Sequence, residues 1–436
     1  MSQLDRAKFS ETLKAGGVEL VALSFVDNSG ISRVKAVPVD ALAAAASDGV
    51  GASTSFDFFL ADDSIVVTSP RMPVGDLRLR ADLDRVTPLA VHPGWAWAPV
   101  WKYDQDGEPH PQDARALVRT ATERLAEQGL SAKMAFEIEW VVAADDEDVP
   151  AGGPAYGFSA LSRHSGYLRD LVSALDSQGL AVAQVHPEYA PGQFEVSVSA
   201  NDPLGAADDA VLVRETIRAV SEAHGLRASF TPKFDPDGVG NGGHLHLSLW
   251  RDGHNLCDWT SGRAPEAEHF AAGILDRLPA LLAVGAPSVV SYLRLVPGHW
   301  AGVYRCWGVE NREAPLRLIP GPAGSRDRAA NFEVKCFDLT ANPYLVVAGV
   351  LFAGLAGLGE GARLPAPVDR DPHGLDLERL PTTLAEAVAA FAADDTLWTG
   401  FGEELATTLV ELRRRDVENA ASLSTEEICA AARWRY

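Results

Sequence analysis

Four strand-like stretches of this chain carry acidic or imidazole side chains within otherwise apolar runs, and they constrain the fold more than any other feature. In the stretch 185–198 two carboxylates flank a Pro-Gly turn, and the other stretches are 136–140, 243–249 and 332–335. Side chains at positions i and i+2 of a strand point to the same face. A buried carboxylate needs a cation or a proton. If the four strands adjoin, their acids and a histidine share one pocket, which only bound metal ions make tolerable.

The candidate metal ligands in these stretches are five glutamates and one histidine: Glu137, Glu139, Glu188, Glu195, Glu333 and His244. Taken alone, two glutamates at i and i+2 more often belong to a solvent-facing strand, and the pair His244 and His246 could be one core and one exposed side chain. The combination favours a metal site. A ligand set rich in carboxylates, with one imidazole and no thiolate, favours Mg²⁺ or Mn²⁺. Two such ions side by side suit phosphoryl transfer.

Arginines close to these stretches in sequence are the candidate anion-binding groups, namely Arg294, Arg312 and Arg317. A guanidinium fork matches carboxylates and phosphates, so these residues would hold an acidic substrate and a polyphosphate together. Surface ion pairs are the competing interpretation, which is weakest for Arg294 because apolar residues enclose it. The G-x-G-x-x-G match at 238–243 opens a strand-like run rather than a helix, so it is not a dinucleotide-binding loop. The sequence contains no P-loop motif, and ATP would therefore be bound by metal ions and arginines.

Composition and charge argue against several classes of partner. The formal net charge of −22 and a pI of about 4.9 argue against nucleic acid and anionic membranes, which need a basic patch. The 4 cysteines include no C-x-x-C pair, which predicts reduced thiols. The first residues form a charged amphipathic stretch and not a secretion signal. The longest apolar run, 345–358, is shorter than the ~20 residues of a membrane span. We therefore expect a cytoplasmic protein with no nucleic-acid or membrane partner.

The apolar pattern predicts an α+β protein of two domains, a small one at 1–103 and a large one at 104–436, with a turn-rich junction at 104–109. The strands expected in the first domain are 18–27, 31–37, 64–67 and 89–98, and its helices are 4–15 and 39–46. The helices expected in the second are 111–128, 166–178, 204–224, 265–284, 342–357, 383–393 and 398–415. They alternate with the acid-bearing strands.

Several of these motifs, taken in chain order, resemble those of glutamine synthetases of the bacterial type I class. The matching segments are 137–139, 188–195, 240–249, 294–298, 311–312, Glu333, Asp338 and 341–345. The resemblance covers nearly the whole chain. It implies a small N-terminal β-grasp-like domain and a catalytic domain whose antiparallel sheet is curved into half a barrel and backed by helices. It also implies a homo-oligomer, a dodecamer of two stacked hexameric rings with active sites between neighbouring subunits.

The resemblance further implies roles for individual residues. One metal ion would be held by Glu139, Glu188 and Glu195, and the other by Glu137, His244 and Glu333. Arg294 and the Gly240 backbone would bind glutamate, and His246 and Ser248 would lie along the nucleotide. The residues expected to act on the phosphates or the reacting carboxylate are Arg312, Arg317 and Lys335. In the family reaction, ATP activates the glutamate γ-carboxylate as an acyl phosphate, which an amine then attacks.

Departures from the family pattern bear on the nucleophile and the acid. Ammonia-using members hold ammonium with an Asp of the N-terminal domain and a Glu just after the Pro-Gly of an Arg-Leu-Val-Pro-Gly segment. In this chain Ser53 stands at the counterpart of the first, and His299 and Trp300 occupy the place of the second. A site without those anions should neither collect ammonium nor deprotonate it well. Lys335 replaces a family arginine, which leaves the assignment of glutamate as the acid open.

An amine with an organic tail would gain from contact with Trp300, Phe56 or Phe58. The sequence therefore predicts a γ-glutamyl amide synthetase that uses ethanolamine or an alkylamine before a polyamine. A polyamine would need additional anions, and the acids available for this are Asp57, Asp62 and Asp63. The alternatives are an ordinary ammonia-using glutamine synthetase and a non-catalytic paralogue. A glycosidase built on paired carboxylates is a weaker alternative, because it explains neither His244 nor the arginines.

Overall fold

The computed structural model describes residues 3–65, 72, 74–144 and 152–436. Its helices are α1 Gln3–Ala15, α2 Leu42–Ser47, α3 Ala114–Glu127, α4 Phe158–Ser177, α5 Pro203–Ala223, α6 Pro265–Gly285, α7 Ser291–Arg294, α8 Arg326–Ala329, α9 Pro343–Glu360, α10 Leu384–Ala392, α11 Asp395–Phe401, α12 Glu403–Ala420 and α13 Thr425–Ala432. Its strands are β1 Leu20–Val26, β2 Ser32–Pro38, β3 Val50–Ser53, β4 Asp76–Ala81, β5 Thr87–Pro88, β6 Trp95–Tyr103, β7 Ser131–Ala143, β8 Val182–Pro187, β9 Gln193–Val198, β10 Arg227–Ser229, β11 Gly243–Arg251, β12 His254–Asn255, β13 Trp307–Val309, β14 Leu316–Ile319 and β15 Asn331–Val334.

The N-terminal part is built on a mixed sheet with the order β2-β1-β6-β4-β3, in which β5 also pairs with β6. The strands expected at 18–27 and 31–37 are confirmed as β1 and β2, which pair antiparallel as a hairpin, and β1 runs parallel to β6. Helices α1 and α2 contribute to the small apolar core of this sheet. Ile65 forms only an isolated bridge with Phe59, and the rest of the strand expected near it, residues 66–67, lies outside the described residues. The strand expected at 89–98 instead spans 95–103.

The C-terminal part is built on a second sheet, curled into half a barrel, with the order β13-β14-β15-β11-β7-β9-β8. Among the described residues, β10 also pairs with β7 and β12 with β11, and only β13 and β14 run parallel. Helices α3, α4 and α5 pack against the sheet, and α9, which itself packs on α6, lies against α3 and α5 in the same apolar core. The helix expected at 398–415 is two helices, because Gly402 adopts a φ of 80° between α11 and α12.

The apolar run that was compared with a membrane span in the sequence is the core of α9. This helix is long and apolar enough to cross a membrane by length and composition, but 72% of its residues are buried inside the protein. It crosses α6 closely at Gly273 and Gly357. A Cβ at Gly273 would lie 2.2 Å from the Ala353 carbonyl oxygen. Glycine at this crossing therefore lets α9 pack as an internal helix.

Candidate active site

Strand register brings the acid-bearing stretches together on one face of the curled sheet. His244 lies opposite Glu137 on neighbouring strands, Glu195 opposite Glu139, and Glu333 opposite His246. Directly opposed residues of antiparallel strands have Cβ atoms about 4.5–5.5 Å apart. The alternate residues of the same strands, such as Leu245 and Phe136, point into the core. The period of two therefore separates an apolar face from a charged one.

Two groups of ligands result on this face. In the first, His244 Nδ1 lies 2.7 Å from Glu137 Oε1 and 3.3 Å from Glu333 Oε1. His246 Nε2 lies 3.4 Å from Glu137 Oε2, and His244 Nε2 lies 3.7 Å from Glu139 Oε1. Carboxylate and imidazole atoms of these residues are close enough to share an ion.

The second group contains a residue that was not among the predicted ligands. His186 Nε2 lies 3.2 Å from Glu195 Oε1, and its Nδ1 lies 3.3 Å from Glu188 Oε1. The hydrogen bond with Glu195 raises the pKa of His186 to about 9, although burial of the ring opposes its protonation. His186 lies two residues before Glu188. The same i, i+2 spacing identified the pairs Glu137/Glu139 and His244/His246 in the sequence, so it could also have identified His186.

The charges of the site fit bound divalent cations. Burial and the neighbouring carboxylates of Glu139 and Glu195 raise the pKa of Glu188 to about 7. Burial and Lys335 oppose protonation of His244, yet the carboxylates of Glu137 and Glu333 raise its pKa to about 9. Carboxylates this close together repel one another, which favours protonation of some of them. Bound Mg²⁺ or Mn²⁺ would neutralise the same negative charge. The donors are hard oxygens and imidazoles, as those ions prefer.

Two cations contact Glu333: Arg317 from the neighbouring strand β14, and Lys335, which lies two residues after Glu333, just after the end of β15. Arg317 Nη1 donates to Glu333 Oε2 over 3.0 Å, and Lys335 Nζ donates to Glu333 Oε1 over 3.0 Å. Burial would raise the pKa of Glu333, but Lys335 and the histidines hold it well below its ordinary value. Lys335 thus lies at the ligand group, in the position where the family arginine was expected.

The Gly240 loop crosses above the first ligand group. Gln193 Nε2 donates to the Gly240 carbonyl over 3.1 Å, and the Gly242 N–H donates to Glu139 Oε2 over 2.8 Å. A Cβ at Gly240 would lie 2.1 Å from the Pro232 carbonyl oxygen and 2.8 Å from Arg294 Cγ. Arg294 itself donates to the carbonyls of Phe337 and Lys335. The loop and Arg294 therefore hold each other in place next to the first ligand group.

These groups line one cavity of about 1630 Å³. Every predicted site residue lies on its wall except Ser53, including Ser248, Arg312 and Trp300. Ser53 is exposed at the end of β3, where its hydroxyl pairs with that of Ser55. Ser53 therefore does not reach the cavity of its own chain. The roles assigned to all these residues stay predictions.

Aromatic side chains form the mouth of the cavity. The rings of Tyr189 and Trp300 have centroids 5.4 Å apart, and the two residues are 46% and 41% exposed. Trp300 has a φ of 54°, and its N–H donates to Glu313 Oε1 over 3.0 Å. Tyr156 lines the same side, where burial and Glu188 raise its pKa to about 12, so it stays neutral. The mouth is thus amphipathic, with exposed rings beside a carboxylate.

Three residues expected from the sequence to contact the amine tail or a second ammonium group, Asp57, Asp63 and Phe58, are paired with cations or buried. Asp57 is buried between Lys102 Nζ and His110 Nε2, each 2.7 Å away, so it has no free charge to offer an amine. Asp63 pairs with Arg33 over 2.7 Å. Phe58 is buried, so it has almost no surface with which to contact a substrate.

The chain is similar to several known proteins in sequence. Residues 111–430 match the family model described as glutamine synthetase, catalytic domain. The chain is 51% identical, over 100% of its length and 97% of the relative's, to a protein of Streptomyces coelicolor named gamma-glutamylpolyamine synthetase GlnA3. It is 31% identical to a glutamine synthetase of Pyrococcus abyssi, over 92% of this chain and 90% of that protein.

Solved structures show the same fold. A crystal structure described as a novel glutamine synthase homolog superposes with a TM-score of 0.87 at 33% identity, covering 96% of this chain and 99% of the other. A structure described as a GmaS/ADP complex superposes with a TM-score of 0.85 at 28% identity, covering 96% and 98%. The chain therefore belongs to the glutamine synthetase family, in its γ-glutamyl-amine ligase branch, and is an ATP-dependent carbon–nitrogen ligase.

Proposed function

We propose that this enzyme joins the γ-carboxylate of glutamate to a polyamine at the expense of ATP. The observation that carries this proposal is the mouth, where Trp300 occupies the place expected for an ammonia-binding acid and packs against the ring of Tyr189. The 51% identity with a relative named for polyamines supports a substrate with more than one amino group. Ethanolamine or an alkylamine is the second candidate, because an aromatic mouth also favours a neutral organic tail.

In this proposal the residues divide the work of binding. Arg294, held against the Gly240 loop, binds the α-carboxylate of glutamate, and the loop's backbone meets the amino end. Arg312 and Arg317 meet the phosphates. The family uses divalent metal ions and ATP, and ions held by the two ligand groups would neutralise the phosphate charge. His246 and Ser248 lie along the nucleotide.

The proposed reaction has two steps. A γ-carboxylate oxygen of glutamate bonds to the γ-phosphorus of ATP as the bond to ADP breaks. The neutral amine nitrogen attacks the acyl carbon, the bond from that carbon to the phosphate oxygen breaks, and the proton that the nitrogen loses leaves with the phosphate as the amide forms. Tyr189 and Trp300 cover the entrance, where their apolar surfaces contact the methylene groups of the amine and limit access of water.

A phosphate-release assay with product mass tests the amine. Ammonium, ethanolamine, methylamine, putrescine and spermidine are compared at equal concentration with glutamate and ATP. We expect the polyamines to give the highest kcat/KM and a γ-glutamyl amide of the matching mass. High turnover with ammonium and none with the amines would instead identify an ordinary glutamine synthetase. Release of no phosphate with any of them would favour a non-catalytic paralogue.

We further propose a cytoplasmic dodecamer in which Ser53 of one subunit lies near the mouth of a neighbour. The supporting observation is that Ser53 is exposed and remote from its own cavity. Light scattering after gel filtration should give twelve times the 46.5 kDa chain mass. A monomeric mass with full activity would contradict this arrangement.

A further inference from the structure

We propose that Glu313 binds the second ammonium group of a diamine or polyamine whose first amino group reacts inside the cavity. This inference rests on the proposed function and adds the residue that selects for the second charge. It concerns a carboxylate that the sequence interpretation did not use.

Glu313 is fixed at the mouth by contacts on both sides. Its Oε1 accepts the Trp300 N–H over 3.0 Å, and its own N–H donates to Asn311 Oδ1 over 3.1 Å. The Asn311 side chain in turn donates to the carbonyls of Val368 and Arg370, each over 2.9 Å. The carboxylate is therefore held beside a residue that lines the cavity, in a segment with little freedom to move away.

The charge of Glu313 differs from that of the other acids near the site. Glu333 is neutralised by Arg317 and Lys335, and Glu188 has His186 beside it. Within the part of the chain that the structure describes, no lysine, arginine or histidine nitrogen is recorded within 4.0 Å of the Glu313 carboxylate. Its Oε1 is occupied by a neutral N–H, so a negative charge stays available at the entrance.

The exposed rings supply the path between the two ends of the substrate. A diamine whose first nitrogen attacks within the cavity extends its methylene groups outwards past Tyr189 and Trp300, which line the wall. Apolar carbons gain from contact with these rings, and an ammonium group is attracted to aromatic faces. At the outer edge the second ammonium meets Glu313. A monoamine gains from the rings alone.

The competing interpretation is that Glu313 only holds the Trp300 loop in its φ of 54°. The variant Glu313→Gln separates the two, because its amide oxygen still accepts the Trp300 N–H while the charge is lost. Glu310→Gln is the matched control, since it removes an exposed charge three residues earlier in the same segment. Equal thermal melting of the variants and the parent establishes that the fold is intact.

The experiment measures kcat and KM of the full-length enzyme for putrescine and for butylamine, which differ by the second amino group. We expect Glu313→Gln to raise the KM for putrescine about tenfold, as loss of a charge-assisted hydrogen bond would, and to leave butylamine, glutamate and ATP unchanged. Glu310→Gln should change none of them. An equal rise for both amines, or no rise for either, would overturn the proposal.

Calorimetric titration of putrescine into the enzyme with a non-hydrolysable ATP analogue separates this inference from the proposed function. If putrescine binds but is not converted, the proposed reaction fails while the role of Glu313 is still measured by its effect on binding. If Glu313→Gln binds putrescine as tightly as the parent, Glu313 has no role in recognition, whichever amine the enzyme converts.

Discussion

At the scale of single residues, Glu333 balances the charge of the first ligand group. It lies within 3.0 Å of both Arg317 and Lys335 and is buried. Removing one member of a buried ion pair is costly because the partner's charge is left uncompensated. The same carboxylate is also a proposed metal ligand, so stability and metal binding depend on one side chain.

We predict that Glu333→Gln lowers the free energy of unfolding by about 3–5 kcal/mol and abolishes ATP-dependent amide formation. Titration with Mn²⁺, followed by its paramagnetic signal, should show binding weakened at least about tenfold, a change of about 1.4 kcal/mol. Glu215→Gln, which removes a surface partner of Arg218, is the control and should change stability by less than about 1 kcal/mol. Unaltered Mn²⁺ binding in Glu333→Gln would rule out its role as a ligand.

A second prediction at this scale concerns Trp300. The variant Trp300→Glu restores an acid where ammonia-using relatives have one, so it should favour ammonium and lose contact with alkyl tails. We expect the ratio of kcat/KM for ammonium to that for butylamine to rise about tenfold or more, since each tenfold step needs only about 1.4 kcal/mol. Trp300→Phe keeps an aromatic ring and should preserve the parent's preference. If the activities with ammonium and with butylamine both fell without a change in their ratio, the role of Trp300 would be purely structural.

At the scale of elements, the end of the described chain supports the Gly240 loop from behind. Arg433 Nε and Nη2 donate to the Phe234 carbonyl over 3.2 and 3.1 Å, and the Phe230 N–H donates to the Tyr436 carbonyl over 3.0 Å. Trp434 packs edge-to-face on Phe234 with ring centroids 5.5 Å apart. The segment 433–436 thus fixes the stretch that leads into Gly240, while Gln193 fixes the loop from the other side.

We predict that Arg433→Gln raises the KM for glutamate several-fold while leaving the KM for ATP unchanged, because it loosens only the Gly240 loop, which we propose binds glutamate. Arg433→Lys keeps one donor and should recover part of the loss. The exposed Arg414 offers a control substitution to Gln on α12. Equal increases in both KM values would mean that the segment supports the whole domain rather than this loop.

At the scale of the whole molecule, the two sheets are joined by polar contacts at the hairpin tip and at the junction. Asn342 Nδ2 donates to the carbonyls of Val26 and Asp27, and a Cβ at Gly30 would lie 1.9 Å from the Thr340 carbonyl oxygen. The Asp57 carboxylate contacts Lys102 on its own side of the predicted boundary at 103–104 and His110 beyond it. The position of this boundary stays a prediction, but the contacts across it are specific.

We predict that Asp57→Asn lowers the free energy of unfolding by about 3 kcal/mol at pH 7, because Lys102 is then buried without its anion. Burial opposes ionisation of Asp57, yet Lys102 and His110 hold its pKa below the ordinary 3.8. The ionised pair therefore stabilises the fold above about pH 4, and this contribution is lost as the pH falls below that value.

Urea unfolding of the parent and of Asp57→Asn should accordingly differ most at neutral pH and converge as the pH falls from 4 towards 3. The exposed Asp106, substituted by Asn, serves as the control in the nearby turn and should follow the parent. A difference that grows on acidification would show that Asp57 is protonated in the native protein.

Much of the site was predictable from the sequence because it lies on strands. A period of two places Glu137 and Glu139, or His244 and His246, on one face whatever the rest of the chain does. Four such runs in one chain implied the resemblance to glutamine synthetases, which family membership confirms, and a shared metal site, which stays a prediction. The acids and histidines that share a face could therefore be identified from local sequence patterns, without knowledge of the fold.

Only the tertiary structure decided which loop residues meet. It buries Asp57 against Lys102, leaves Ser53 outside the cavity of its chain, and brings Glu313 to the Trp300 N–H. A strand's side-chain directions follow from its backbone repeat, whereas the neighbours of a loop residue depend on how distant segments pack. The sequence thus determined which groups could share a face, and three-dimensional packing decided which acids are paired with cations and which are not.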